Sequence, residues 1–148
     1  MTSENAGSVR LGDVSVGDEL PALDLDVTST VIVAGAIASQ DFMPAHHDSD
    51  YAKAQGAPDM FMNILTTNGY VARFITDWAG PEATVRKIAI RLGAPAIPGQ
   101  PLRFTGQITQ ITQTADAGEE CVVEVAIRAA NELGDHATGT VTVSLPVG

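Results

Sequence analysis

Asp41-Phe42-Met43-Pro44-Ala45-His46-His47-Asp48 places a carboxylate and an imidazole five positions apart around a proline, in a chain with only three histidines. Such a pair can hold a water molecule and take its proton, which is general acid/base chemistry. Spacing alone does not establish this, because an isolated aspartate ahead of a turn more often caps or solvates it. His47 adjoins His46, but adjacent side chains point in different directions and His136 is remote in sequence, so the pattern is not that of a metal site. Asp48 reads first as the cap of a following helix. Cys121 alternates with apolar residues in Cys121-Val122-Val123-Glu124-Val125 and reads as a small core residue rather than a nucleophile.

The frame around the pair is one domain, 148 residues long and 45% hydrophobic, enough to bury a core. We divide it into a polar N-terminal tail, 1–17, and a domain, 18–148. No apolar run approaches the ~20 residues needed to span a bilayer. The N-terminal residues lack the order of a signal peptide, and a lone cysteine forms no internal disulfide, so a reducing cytoplasm is expected. A formal charge of −10 repels phosphate backbones and argues against nucleic acid. Five of the eight basic residues, Arg73, Arg86, Lys87, Arg91 and Arg103, nevertheless fall in one stretch. They either balance an acidic surface or offer a local site to an anionic small molecule.

Periodicity supplies the elements that must position the pair. Leu23, Leu25 and Val27 alternate with Asp24 and Asp26, as in a half-buried strand. In Ser29-Thr30-Val31-Ile32-Val33-Ala34-Gly35-Ala36-Ile37-Ala38-Ser39 the β-branched first half favours strand. The small residues of the second half favour a helix, with Ser29 or Thr30 as cap. A short helix through Tyr51-Ala52-Lys53-Ala54, capped by Asp48, Ser49 or Asp50, should stop at Gly56. The longest helix is expected over about 60–79, capped by Asp59, carrying Phe61, Ile64, Leu65, Val71, Phe74 and Ile75 and stopped by Gly80-Pro81. Strands follow at 85–92, 102–113, 121–130 and 138–145. Turn signals separate them at Gly93-Ala94-Pro95, Pro98-Gly99-Gln100, Asp116-Ala117-Gly118 and Glu132-Leu133-Gly134-Asp135. One long helix followed by four strands predicts an α+β layer: an antiparallel sheet with the helix on one face.

These residues resemble the MaoC-like enoyl-CoA hydratases, whose hot-dog fold wraps a curved antiparallel sheet around a long central helix. The family signature Asp-x-Asn-Pro-x-His-x-Asp is matched at Asp41, Pro44, His46 and Asp48. Gly56-Ala57-Pro58 and the Arg91-Leu92-Gly93-Ala94-Pro95-Ala96-Ile97-Pro98-Gly99-Gln100-Pro101-Leu102 segment continue the likeness, which spans roughly 18–146. Phe61-Met62-Asn63-Ile64-Leu65-Thr66 and Asp77-Trp78-Ala79-Gly80-Pro81 look more narrowly like the small subunit of actinobacterial heteromeric hydratases. Those act on steroid side-chain enoyl-CoA esters in cholesterol catabolism.

The resemblance implies that Asp41 and His46 activate a water, with Asp41 as the proton acceptor and His46 holding the water and sharing the transfer. It also implies that backbone N–H groups of Met62 or Asn63 meet the enolate oxygen at the helix start. Phe61 at the helix mouth, with Arg86, Lys87, Arg91 and Arg103, would then contact the acyl-CoA, and no metal or separate cofactor is implied. Two departures stand out: Met43 replaces the signature asparagine, and Phe61-Met62 replaces the usual His-Gly. The implied partner is a second MaoC-like subunit, giving a heterodimer or a dimer of heterodimers, with a homodimer as the alternative. A non-catalytic subunit shaping a partner's site and a hot-dog thioesterase are the competing functions.

Overall fold

The computed structural model describes residues 7–114 and 120–148, so the turn expected at 116–118 lies outside the described residues. Five strands, β1 (Leu23–Leu25), β2 (Thr84–Leu92), β3 (Leu102–Thr114), β4 (Glu120–Asn131) and β5 (Gly134–Leu145), form one antiparallel sheet in the order β1-β3-β4-β5-β2. Three helices, α1 (Ser29–Ala38), α2 (Ser49–Ala54) and α3 (Ile64–Ala79), lie between β1 and β2 in the chain. This is the expected α+β architecture, and the sheet's alternation explains it. Leu102, Phe104 and Ile108 of β3 and Cys121, Val123, Val125, Ile127 and Ala129 of β4 are buried, while their neighbours face outward. Val71, Phe74, Ile75 and Ala79 of α3 bury against that face in one continuous core, where the Phe74 and Phe104 rings stand 6.1 Å apart.

β1 stops at Leu25, short of Val27, and three other element boundaries differ from the sequence reading for a tertiary reason. α1 takes the whole of Ser29–Ala38, including the β-branched stretch, and is capped by Thr28, whose hydroxyl accepts the Val31 N–H. It lies against α3 where a Cβ on Gly35 would run into the Thr66 side chain, so the crossing requires glycine there. α3 begins at Ile64 rather than after Asp59. The Phe61 N–H donates to the Ala45 carbonyl and the Met62 N–H to the Ala96 carbonyl, which keeps the preceding backbone out of the helix. Asp59 accepts from the Ser49 hydroxyl and the Met60 N–H instead of capping, and Asn63 is the cap. β5 starts at Gly134, earlier than expected, because a tight turn at Glu132-Leu133 lets it pair with β4 at once.

Residues 8–17, read as part of a polar tail, are laid on the domain: the Val9 N–H donates to Ala79 O, Leu11 to Pro146 O and Gly17 to Ile108 O. Val9, Leu11 and Val14, scattered among polar residues, pack against the core.

Phe74 is 2% exposed. Phe74→Ala should therefore cost about 3–5 kcal/mol of unfolding free energy in a chemical denaturation titration, through lost burial plus an unfilled cavity between α3 and the sheet.

Candidate active site

Pro44 opens a short 3-10 turn, Pro44–His46, that carries His46 inward. Its imidazole is buried, with the Phe61 ring edge-on at 5.1 Å. The His46 Nδ1–H donates to the Phe61 carbonyl at 2.7 Å. A carbonyl can only accept, so the neutral ring carries its proton on Nδ1 and leaves the Nε2 lone pair free. Nε2 stands 3.4 Å from Asp41 Oδ2. The two residues singled out by spacing thus meet, with one carboxylate oxygen and one imidazole nitrogen turned toward the same point. A water there can donate one hydrogen to each.

Asp41 keeps about a third of its side chain exposed, and its pKa lies below the usual carboxylate value. The largest cause is the hydrogen bond from the Asn63 amide, followed by a raising effect of burial, then by lowering from the Met43 N–H and from His46. Asp41 is therefore a carboxylate at neutral pH, as a proton acceptor must be. Met43 contributes only backbone, through a 3.4 Å contact of its N–H with Asp41 Oδ1. Met43 has no side-chain amide, and the amide that reaches the Asp41 carboxylate is that of Asn63, from the α3 side at 3.0 Å.

The structure separates the two candidate oxyanion donors. The Met62 N–H is committed to Ala96 O at 2.9 Å, whereas the N–H groups of Asn63 and Ile64 have no partner among the described residues. Both stand at the positive end of α3, where unsatisfied amides and the helix dipole favour an anion. Asp41, His46, Phe61, Met62, Asn63 and Ile64 line one cavity of about 390 Å³, whose far wall is Leu92-Gly93-Ala94-Pro95. That wall is fixed by the Ala94 N–H bond to Asp135 O and the Asn131 amide bond to Pro95 O.

His136 also lines this cavity. Sequence distance hid it, and so did a β-bulge. Ala129 pairs with Ala137 while Ala130 pairs with Asp135, so His136 is the extra residue of β5 and turns inward beside Ala137. Its Nδ1–H donates to Ala94 O at 2.7 Å and its Nε2 accepts from the Thr67 hydroxyl at 2.9 Å. Burial lowers its pKa, so it is a neutral brace between sheet and helix.

The basic candidates lie apart from the cavity. Arg86, the bulged residue of β2, bonds the Ser144 hydroxyl, and Lys87 and Arg91 are exposed on the same strand. Arg91 adjoins the cavity residue Leu92. Arg103 is on β3, near the β1 edge and away from β2, held by both oxygens of Asp24. Asp48 caps α2 and Cys121 is fully buried, with its thiol pushed up by burial.

A sheet packed on a helix whose N-terminus faces a carboxylate–imidazole pair defines the hot-dog class of hydratase-like proteins. No family model matches the chain. Over 130 residues, 88% of this chain and 95% of the relative, it is 42% identical to the 3-oxo-4,17-pregnadiene-20-carboxyl-CoA hydratase beta subunit of Mycobacterium tuberculosis (strain ATCC 25618 / H37Rv). A crystal structure of the ChsH1-ChsH2 complex from Mycobacterium tuberculosis contains a similar chain, with TM-score 0.82 at 42% identity, covering 88% of this chain and 98% of that one. The MaoC-like dehydratase from Rhodospirillum rubrum shares the fold, with TM-score 0.83 at 19% identity over 95% and 98% of the two chains. So does the R-hydratase PhaJ1 from Pseudomonas aeruginosa, with TM-score 0.81 at 17% identity over 95% and 88%. The chain belongs to the MaoC-like hydratase family.

His136 supplies a pH test of the site's scaffold. Its folded pKa is depressed, so the unfolded chain binds its proton first as pH falls through the ordinary histidine value of about 6.5. Thermal melts should show the stability contribution of this residue fully present above that pH and lost progressively below it. In His136→Gln that part of the decline should vanish.

Proposed function

We propose that this chain is the catalytic subunit of an enoyl-CoA hydratase that adds water across the 2,3 double bond of an acyl-CoA, with a steroid side chain as the acyl group. The observation that carries the reading is the convergence of Asp41 Oδ2 and His46 Nε2, 3.4 Å apart, beside the unpaired amides that open α3. Hydration needs a water near C3, a base for its proton, a proton returned to C2 and donors on the thioester oxygen. The pair holds the water, and Asp41 takes its proton as the C3–O bond forms. The carbon–carbon π electrons move toward the carbonyl, and the Asn63 and Ile64 N–H groups stabilise the resulting enolate oxygen. A proton from the pair then closes the C2–H bond, leaving the thioester intact and the protein unchanged.

The steroid assignment rests on the 42% identity with a protein named for a pregnadiene carboxyl-CoA and on the character of the mouth. Ile64 lines the cavity and is exposed, and Phe42, Met43 and Leu65, its neighbours or those of Asp41 in sequence, are exposed too, apolar surface suited to a rigid hydrocarbon. The similar chain belongs to a two-component complex, and we assign this chain a second MaoC-like subunit as partner. That apolar surface and the outer edge of β2, unpaired among the described residues, are ones that a partner would cover. Arg91, next to the cavity wall, is the basic residue best placed for the nucleotide end of the substrate. No helix among the described residues is long and apolar enough to cross a membrane. We place the protein in the cytoplasm, where an unpaired Cys121 thiol persists.

The purified complex with its partner subunit should consume a steroid side-chain enoyl-CoA, followed by loss of enoyl thioester absorbance, without releasing free CoA. Asp41→Asn and His46→Ala should each lower kcat by about 10²- to 10⁴-fold while KM stays within about threefold. Unchanged turnover in Asp41→Asn would assign catalysis to the other subunit. Thiol release from a saturated ester would make the chain a thioesterase. A second measurement concerns assembly. The chain expressed alone should be insoluble or at least about tenfold less active than the complex, because the exposed apolar surface is then left uncovered.

A further inference from the structure

We propose that Asn63 is a positioning residue for catalysis, aiming the Asp41 carboxylate at the reacting water through its side-chain amide while the same side chain caps α3. Asn63 is 1% exposed and uses both hydrogens and the oxygen of its amide. Nδ2 donates to Asp41 Oδ2 at 3.0 Å and to Ser39 Oγ at 2.9 Å, and Oδ1 accepts the Thr66 N–H at 3.1 Å. The orientation has one solution. Asp41 can only accept and the Thr66 amide can only donate, so a flipped amide would oppose like groups at both ends. Ser39 reinforces it by donating its own proton to Gly35 O at 2.7 Å, which leaves its oxygen to accept from Asn63.

The consequence for chemistry lies at Asp41 Oδ2. The Phe61 carbonyl keeps a hydrogen on His46 Nδ1, so Nε2 is the ring atom that faces an anionic oxygen 3.4 Å away. Asn63 donates to that same oxygen at 3.0 Å, and it does so whichever protonation state His46 adopts. It thereby fixes the plane of the carboxylate and keeps it ionised. Because Asn63 is also the N-cap, the base and the amides that meet the enolate oxygen are held by one residue, and a shift of α3 would move both together.

This inference rests on the hydratase reading, and two variants separate it from mere helix capping. Asn63→Ser retains a good cap but is too short to reach Asp41. Asn63→Asp retains the cap and places a second carboxylate against Asp41. The Thr66 cap bond survives in both, but Ser39 and Asp41 lose the amide and Asn63→Asp adds a like charge, so both should melt below wild type, Asn63→Asp further, and activity is compared at a temperature where each is fully folded. In the complex both should lose about tenfold or more in kcat with little change in KM. The acid limb of the kcat/KM profile should move to higher pH, further in Asn63→Asp, because removing the N–H or adding a like charge makes Asp41 easier to protonate. A carboxyl ¹³C NMR titration should show the same upward movement of Asp41. Unmoved acid limb and titration in both variants, or losses that merely follow the melting temperature, would overturn the proposal. A wild-type complex that hydrates no enoyl-CoA would sink the hydratase reading alone, and the NMR titration would still decide whether Asn63 governs Asp41.

Discussion

The constraint on which the rest depends is the clamping of the extended backbone before α3 from both sides. Phe61 is tied to Ala45 in the motif loop and Met62 to Ala96 in the loop after β2. Those two bonds stop the helix from starting early, and so decide that Asn63 becomes the cap. They also aim the Phe61 carbonyl at His46, which fixes the imidazole tautomer. Helix start, proton position and carboxylate orientation are thus consequences of one clamped strand-like segment rather than separate inventions.

A second layer of support comes from the sheet. The bulge at His136 turns a histidine into the core, where it joins the Ala94 carbonyl of the cavity wall to Thr67 of α3. The same wall is held by the β4–β5 end through Asp135 and Asn131. Cavity wall, helix and sheet are therefore braced against one another by buried, satisfied polar groups. Such groups are costly to break, because removing one partner leaves the other unpaired. This explains how a site built largely on loops is held: its loops are bonded to regular elements at several points.

The replacement of a signature residue need not remove its chemistry. Met43 has no polar atom to offer Asp41, yet the carboxylate still receives a side-chain amide, now from the residue that begins α3. Met43 is itself exposed, as are the apolar Phe42, Ile64 and Leu65.

Alternation in β3 and β4, the apolar face of the long helix and the glycine and proline turns were enough in the sequence to define an α+β layer with the helix on the sheet. These are local periodicities, and burial simply obeys them. The Asp41–His46 pair was legible too, because proline fixes a short turn and the flanking residues match a family pattern. What the sequence could not decide was anything requiring a bond between distant segments. Asp59 read as the cap of the long helix until the Phe61 and Met62 amides found partners and left that place to Asn63. Ser29–Ala38 read as half strand until Thr28 capped it and Gly35 let it cross α3. Met62 and Asn63 were equivalent oxyanion candidates until Ala96 took the Met62 N–H, and His136 was invisible because a bulge shifts the inward face by one residue. Arg103 likewise belonged to the basic stretch until Asp24 claimed it. Periodicity is written in neighbours along the chain, whereas the direction of a hydrogen bond is settled only when the fold brings its donor and acceptor together.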